Sequence, residues 1–436
     1  MLWWQPLVER VRQNLWFWPV LTAMASVVVA HVLATVGASW EPALDGVLVS
    51  MAPDEVRSVL ATVLAALVTA SSVVSSLTIV ALQTASSQFS PRLLRNFVRD
   101  GTTQAVLALF VGSSGYIVTL IVQAGDETAR LAVTSAFVLV LVGVIVIAYF
   151  FNHVSQSIRV ESIMHSVVEE TNGATQRLGT WTSTGEASRT ADAAPPPHAR
   201  PVVAERSGYV QQIAIHPLVS FAAEHDLVIR YVVQVGQPTT RGALVAWWWA
   251  SEVEGGVPDD IDHQIADHLQ IGEERTMHHD VGLGLRQLVD MSVKAMSPSI
   301  NDPYTAAQAV DHLADVLVAL DEIPLGDRAW RDGDVERLII PVVSFAELAS
   351  LATSQLRRYG AHEPTVLLRL VTMLRDVASA VSPEHEPILR DLVIRCSDGS
   401  GIELELDREE LARARDEVLS WFDHRAPPRT SARHGL

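Results

Sequence analysis

Cysteine, lysine and, over the first third, charge are scarce in this chain of 436 residues. The one cysteine, Cys396, excludes an internal disulfide and argues against a multi-cysteine metal cluster or a CxxC redox pair. The sole lysine is Lys294, so basic charge is almost all arginine. No G-x-S-x-G, HExxH or phosphate loop occurs. GLGLRQ at 282–287 lacks the last glycine and the βαβ setting of a nucleotide fingerprint. The adjacent His278, His279 and Asp280 are metal-ligand types, but neighbouring histidines on a helix point about 100° apart and share a metal poorly. Neither an enzyme nor a bound cofactor or metal is expected.

The chain is rich in apolar residues, at 49%, and strongly acidic, at −18. Both features are unevenly spread. The apolar excess lies before residue 152, where eight acidic residues nearly balance seven arginines, so about −17 falls on 152–436. An acidic soluble part makes nucleic acid an unsuitable partner, because such binding neutralises phosphates. It concentrates cations instead.

Four uncharged runs, near 16–38, 59–82, 105–123 and 131–151, approach or exceed the roughly 20 residues that span a bilayer. Before them, residues 1–15 read as an interfacial helix, with Trp3, Trp4, Trp16 and Trp18 suited to the membrane boundary and no cleavable-signal pattern. Arg10, Arg12, Arg92, Arg95, Arg99 and Arg159 flank one side. The other side has only Arg57 and Arg130, among Glu41, Asp45, Asp54, Glu55, Asp126 and Glu127. The arginine bias predicts cytoplasmic N- and C-termini, with the loops at 39–58 and 124–130 outside.

The second run is unusual. Helical spacing gathers Ser58, Thr62, Thr69, Ser72, Ser76, Gln83 and Ser87 into one stripe, with Ser71, Ser75 and Thr78 roughly opposite. Hydroxyls and small residues permit close helix packing and can bond back to the i−4 carbonyl. Equally, one stripe can line a water-filled path in an oligomer, with Arg92, Arg95 and Arg99 at its inner mouth. From Arg57 to Phe89 one continuous helix would measure about 50 Å. VGSSGYIV at 111–118 has a passing likeness to a potassium-channel filter, but no pore helix accompanies it, so Gly112 and Gly115 read as packing positions. His31, the one side chain within the runs that ordinarily titrates near neutral pH, reads as a hydrogen-bonded structural residue.

The expected fold is thus an α-helical membrane domain of four transmembrane helices over 16–151, followed by a cytoplasmic part. The latter begins with a helix and linker at 152–200, the linker being 179–200 with its triplet Pro195–Pro197. Alternating strands over 201–250 form a small β-module that resembles the barrel-sandwich of biotinyl and lipoyl carriers, without their modified lysine. Residues 251–325 form a helical domain, with segments at 260–275, 281–296 and 303–321 and the motif SPSINDP. A second helical domain covers 326–425, and 426–436 reads as a disordered tail.

Four stretches carry a family resemblance: 59–100, SGYVQQI at 207–213, 271–317, and QLRRYGAHEPTVLLRLV at 355–371. On these, nearly the whole chain is similar to the bacterial membrane proteins grouped as DUF2254, a family without an assigned activity. Where that family has SPGINDP, this chain has Ser299, which implies a less left-handed turn there. The resemblance implies a multi-pass protein of the bacterial plasma membrane. An oligomeric channel for inorganic ions or a small solute, lined by Thr62, Thr69, Ser72, Ser76, Gln83 and Ser87, suits four spans nearly free of buried charge. The alternative is a membrane-anchored ligand sensor or scaffold without a pore, in which the spans anchor and oligomerise while Asp280, Arg286, Gln287, Asp290, Asn301 and Asp302 would bind a small ligand or partner. The latter residues also suit helix capping and internal ion pairing, Asn301-Asp302-Pro303 above all.

Overall fold

The computed structural model describes residues 16–36, 48–49, 51–88, 100–123, 130–183, 188–189, 194–250 and 260–424, with side chains at all but 85–88 and 188–189. The expected interfacial helix, Arg92, Arg95, Arg99, the tail and the Ser87 side chain lie outside them. The chain divides into two compact units, at residues 163 and 164.

The first unit holds four helices long and apolar enough to cross a membrane: α1 (Phe17–Val36), α2 (Pro53–Gln88), α3 (Gly101–Gln123) and α4 (Arg130–Ser157). α2 is one unbroken helix of 36 residues, about 54 Å long. Pro53 at its start and Asp54 and Glu55 in its first turn suit a helix N-terminus. α3 is the central helix and packs against the other three. It approaches α1 closely because Gly112 and Gly115 carry no side chain. A Cβ on Gly112 would lie 3.3 Å from Thr22 Cβ, and one on Gly115 3.0 Å from Ser26 Oγ. Both glycines are packing positions inside a continuous helix. α2 contributes a buried seam of Leu60, Leu67, Val74 and Ala81, spaced by seven as a helix packed along its length requires. Outward-facing Met24, Val28, Leu141 and Ile145 are exposed, a surface that matches hydrocarbon.

The second unit has α5 (Val160–Ser183), then strands and helices. The six-stranded sheet runs β1 (Ser188–Arg189), β8 (Arg328–Asp332), β9 (Val335–Ile340), β4 (Leu227–Tyr231), β6 (Leu244–Ala250), β2 (Arg200–Val203). A three-stranded sheet runs β5 (Pro238–Thr239), β3 (Gly208–Ile213), β7 (Leu269–Gly272). β4 and β9 pair in parallel, Ile229 opposite Leu338. The core between them holds Ile213, Leu218, Ile229, Tyr231, Trp248, Trp330 and Leu338.

Four expectations need correcting. The β-module is not a self-contained barrel-sandwich over 201–250. Helix α6 (Ile215–Glu224) interrupts it, burying Ile215, Leu218 and Ala222 at helical spacing, and its sheets draw strands from later in the chain. Residues 328–340, expected to be helical territory, form a hairpin whose two-residue loop starts at Gly333, φ +59°. The helix expected over 260–275 stops early, as α7 (Ile261–Asp267), and β7 follows it into the small sheet. The expected linker also begins too soon, since α5 runs to Ser183 and buries Thr182.

The remaining helices are α8 (Val281–Ala295), α9 (Pro303–Leu320), α10 (Phe345–Tyr359), α11 (Pro364–Ala380), α12 (Glu386–Cys396) and α13 (Glu405–His424). Ser344 and Glu347 close a reciprocal capping box on α10, which fixes where it starts.

Candidate functional site

The polar residues of α2 divide by face. Thr62, Thr69, Ser72, Ser76 and Gln83 are exposed, turned away from the buried seam. Three of their hydroxyl protons are already committed: Thr62 donates to the Ser58 carbonyl at 3.1 Å, Thr69 to Ala65 at 2.8 Å and Ser72 to Val68 at 2.9 Å. Each such oxygen keeps lone pairs for an outside donor or cation. The second stripe splits. Ser71 and Thr78 are half-buried, Thr78 bonding back to Val74 at 2.9 Å, whereas Ser75 is exposed and donates to Ser71.

Other polar contacts join the helices. His31 Nδ1 lies 2.8 Å from the Gln123 amide nitrogen, so this histidine is hydrogen-bonded. Sequence reasoning missed a tighter cluster at the start of α3. Asp100 accepts from the Thr103 backbone at 2.9 Å and its hydroxyl at 2.6 Å, and meets His153 Nε2 at 2.9 Å. Burial pushes the Asp100 carboxyl up, but the hydrogen bonds from Thr103 and His153 outweigh it and hold it below the usual carboxylate range.

In the second unit, the six residues singled out by sequence do not meet in one place. Asp280 is 4% exposed and caps α8, accepting from Leu283 N–H at 3.1 Å. Arg275 grips it bidentately, at 2.7 and 2.8 Å. Gly236, φ +88°, presses on the same carboxylate, and a Cβ there would fall 2.4 Å from Asp280 Oδ2. Arg286 pairs with Asp290 one turn on at 3.1 Å, and donates to the Gln355 amide oxygen at 2.9 and 3.0 Å. Gln287 is buried, and its Oε1 finds no partner among the described residues.

Asn301 and Asp302 lie past the far end of α8, about 22 Å along a 15-residue helix. Asn301 is exposed with φ +51°, so the left-handed residue of this turn is Asn301, two positions after Ser299. Asp302 caps α9, accepting from Thr305 N–H at 3.0 Å and its hydroxyl at 2.6 Å, and those bonds hold its carboxyl below the ordinary range. Pro303 follows at the first helical position. These residues build helix ends.

What does converge is a cleft of about 290 Å³ lined by Trp181, Gly236, Gln237, Arg275, His279 and Glu347, among others. His279 stacks on Trp181, ring centres 5.3 Å apart, and its Nδ1 lies 3.4 Å from that of His278. Burial, with His278 and Arg177 adding to it, pushes His279 down to about 4, so it is neutral near pH 7. Trp181 fell in the expected linker. The signal for it was the continuing helical spacing Thr171–Thr175–Leu178–Thr182, each of which is buried. Among the described residues no three His, Cys, Asp or Glu side chains group as a metal site.

The family described as "Predicted membrane protein (DUF2254)" matches residues 12–376. Uncharacterized proteins of Mycobacterium tuberculosis (strain CDC 1551 / Oshkosh) and Mycobacterium bovis (strain ATCC BAA-935 / AF2122/97) are each 33% identical over 403 residues, covering 90% of this chain and 77% of theirs. No solved structure matches.

Proposed function

The chain belongs to the DUF2254 family of predicted membrane proteins, and from that premise we propose that it is the subunit of an oligomeric passage for inorganic ions or a small solute, lined by α2. One observation carries this reading. The face of α2 bearing Thr62, Thr69, Ser72, Ser76 and Gln83 is left uncovered by the other described helices, while the seam Leu60–Ala81 is covered. A polar amide such as Gln83 facing hydrocarbon without a partner costs several kcal/mol. Water, or the same face of another copy, relieves that cost. One four-helix subunit is too small to enclose a water column, so copies are required. The committed hydroxyl protons leave oxygen lone pairs facing the passage, which suits a cation shedding part of its hydration. With both termini on the cytoplasmic side, the acidic second unit would enrich cations at that mouth.

Planar-bilayer recording of the purified protein tests this. We expect a cation-selective conductance that falls severalfold in Thr69→Leu, Ser72→Leu and Ser76→Leu. A conductance untouched by all three removes α2 as the lining, and its absence in the wild type removes the passage.

A second reading is a membrane-anchored ligand sensor, favoured by the cleft beside Trp181 and His279. It mixes apolar walls with a few convergent polar groups and a histidine shifted off its ordinary range, as ligand sites commonly do.

A further inference from the structure

The motif QLRRYG at 355–360 closes α10 and has no part in the passage. It places Arg357 and Arg358 in the last turn of that helix, both exposed. Together with Ser354, Gln355, Ala361, Asp398 and Ser400 they line one cleft of about 470 Å³. Its far wall is the short glycine-bearing loop Asp398-Gly399-Ser400-Gly401 after α12.

The pairing of the arginines is what singles this cleft out. From α10 to the end of α13, Arg369, Arg375, Arg390, Arg395 and Arg415 each pair with a carboxylate, and Arg408 and Arg413 donate to backbone carbonyls. Arg357 and Arg358 have no such partner among the described residues, on a part of the chain with a large surplus of carboxylates. Helix C-termini favour a cation in the last turn, which accounts for their sign. It does not account for two guanidiniums lining one cleft with its single carboxylate, Asp398, partly occupied. Asp398 Oδ1 accepts from Ser400 N–H at 3.1 Å. The Gln355 amide oxygen is likewise taken, by Arg286. The groups left open are the two guanidinium forks, the Ser400 hydroxyl and Asp398 Oδ2, so two cationic donors face one carboxylate oxygen and a net positive charge remains for an anion. Planar guanidinium donors match tetrahedral oxyanions in bidentate geometry.

We propose that this cleft binds a phosphate-class anion, held by Arg357 and Arg358 with Ser400 as a third donor. The proposal is independent of the passage lined by α2. The anion is either a soluble phosphate ester or the headgroup of an anionic lipid, which share the recognised chemistry.

The test uses the full chain in phosphatidylcholine nanodiscs, with inorganic phosphate and pyrophosphate titrated by calorimetry. We expect saturable binding at one site per chain. Arg357→Gln/Arg358→Gln should weaken it at least tenfold, as loss of charged hydrogen bonds predicts. Arg357→Lys/Arg358→Lys should retain part of the affinity, and Arg241→Gln, an exposed arginine elsewhere, should retain all of it. Discs containing phosphatidylglycerol separate the two sources. Unchanged phosphate affinity assigns the site to soluble esters, and competition that the double Gln variant abolishes assigns it to lipid headgroups. Absence of saturable binding, or equal binding by wild type and a folded double Gln variant, overturns the proposal.

Discussion

Replacing Gly236 by alanine should loosen the start of α8 although residue 236 lies on a different element. Two costs combine. At φ +88° an alanine pays the left-handed penalty, about 1–2 kcal/mol. Its Cβ would also sit 2.4, 2.7 and 2.9 Å from Asp280 Oδ2, Cγ and Oδ1. That carboxylate cannot retreat freely, because it is held by two bonds from Arg275 and one from Leu283 N–H. Loosening a charge-assisted bond of that set costs about 1.5–3 kcal/mol. The sum is about 2.5–5 kcal/mol. Native-state hydrogen exchange on the full-length protein, followed at the Leu285 and Leu288 amides of α8, reads this as a lower opening free energy. In an Asp280→Ala background the collision is gone and only the backbone penalty remains, so the same substitution should cost about 1–2 kcal/mol. Equal costs in the two backgrounds, or a cost below about 1 kcal/mol in the wild type, would refute the carboxylate as what Gly236 accommodates.

Gly284→Ala should destabilise the packing of α5 on α8 by about 1–3 kcal/mol, since its Cβ would lie 1.9 Å from Thr171 Oγ1 inside the core. Thr171→Ala should recover part of the lost melting temperature, and an unchanged melting temperature for Gly284→Ala would refute the contact. His279 titrates near 4 in the fold and near 6.5 when unfolded, so the unfolded chain binds the extra proton between those values. Its contribution to stability is complete above about pH 6.5 and is lost as pH falls toward 4. A His279→Gln variant should show a flatter melting temperature over that window, and an identical slope would remove the histidine as the source.

The membrane unit was the more legible half because one physical signal dominates it. Four long uncharged runs can satisfy their backbones in hydrocarbon only as helices, and four helices of about that placement are present. The second unit was harder because its sheets are assembled from distant segments. β4 depends on β9, more than a hundred residues later, and no local periodicity announces that partner. A usable local signal did exist: Gly333-Asp334 between Arg328–Asp332 and Val335–Ile340 is a two-residue hairpin loop with glycine at its first position. Helix ends were read well where chemistry is local. Asp302 with Pro303 and Asp280 before Val281 cap the helices they precede. Arg275 and Gly236 escaped notice because their roles exist only once the β4–β5 loop meets α8.

For α2 the sequence supplied a polar stripe, and the fold supplied its context. Composition alone makes Thr62, Thr69 and Ser72 look in need of water. Their protons are instead spent on the helix's own carbonyls, which lowers the cost of facing lipid. The hydroxyl count is therefore the weaker part of the case for a passage. The stronger part is orientation. A helix that buries Leu60, Leu67, Val74 and Ala81 against its own chain and leaves Ser76 and Gln83 uncovered by the described residues has its polar face open to a partner. Blocking that face with leucine separates the two contributions. If the face only packs, bulk at Ser72 should weaken assembly; if it lines water, conductance should fall while assembly holds.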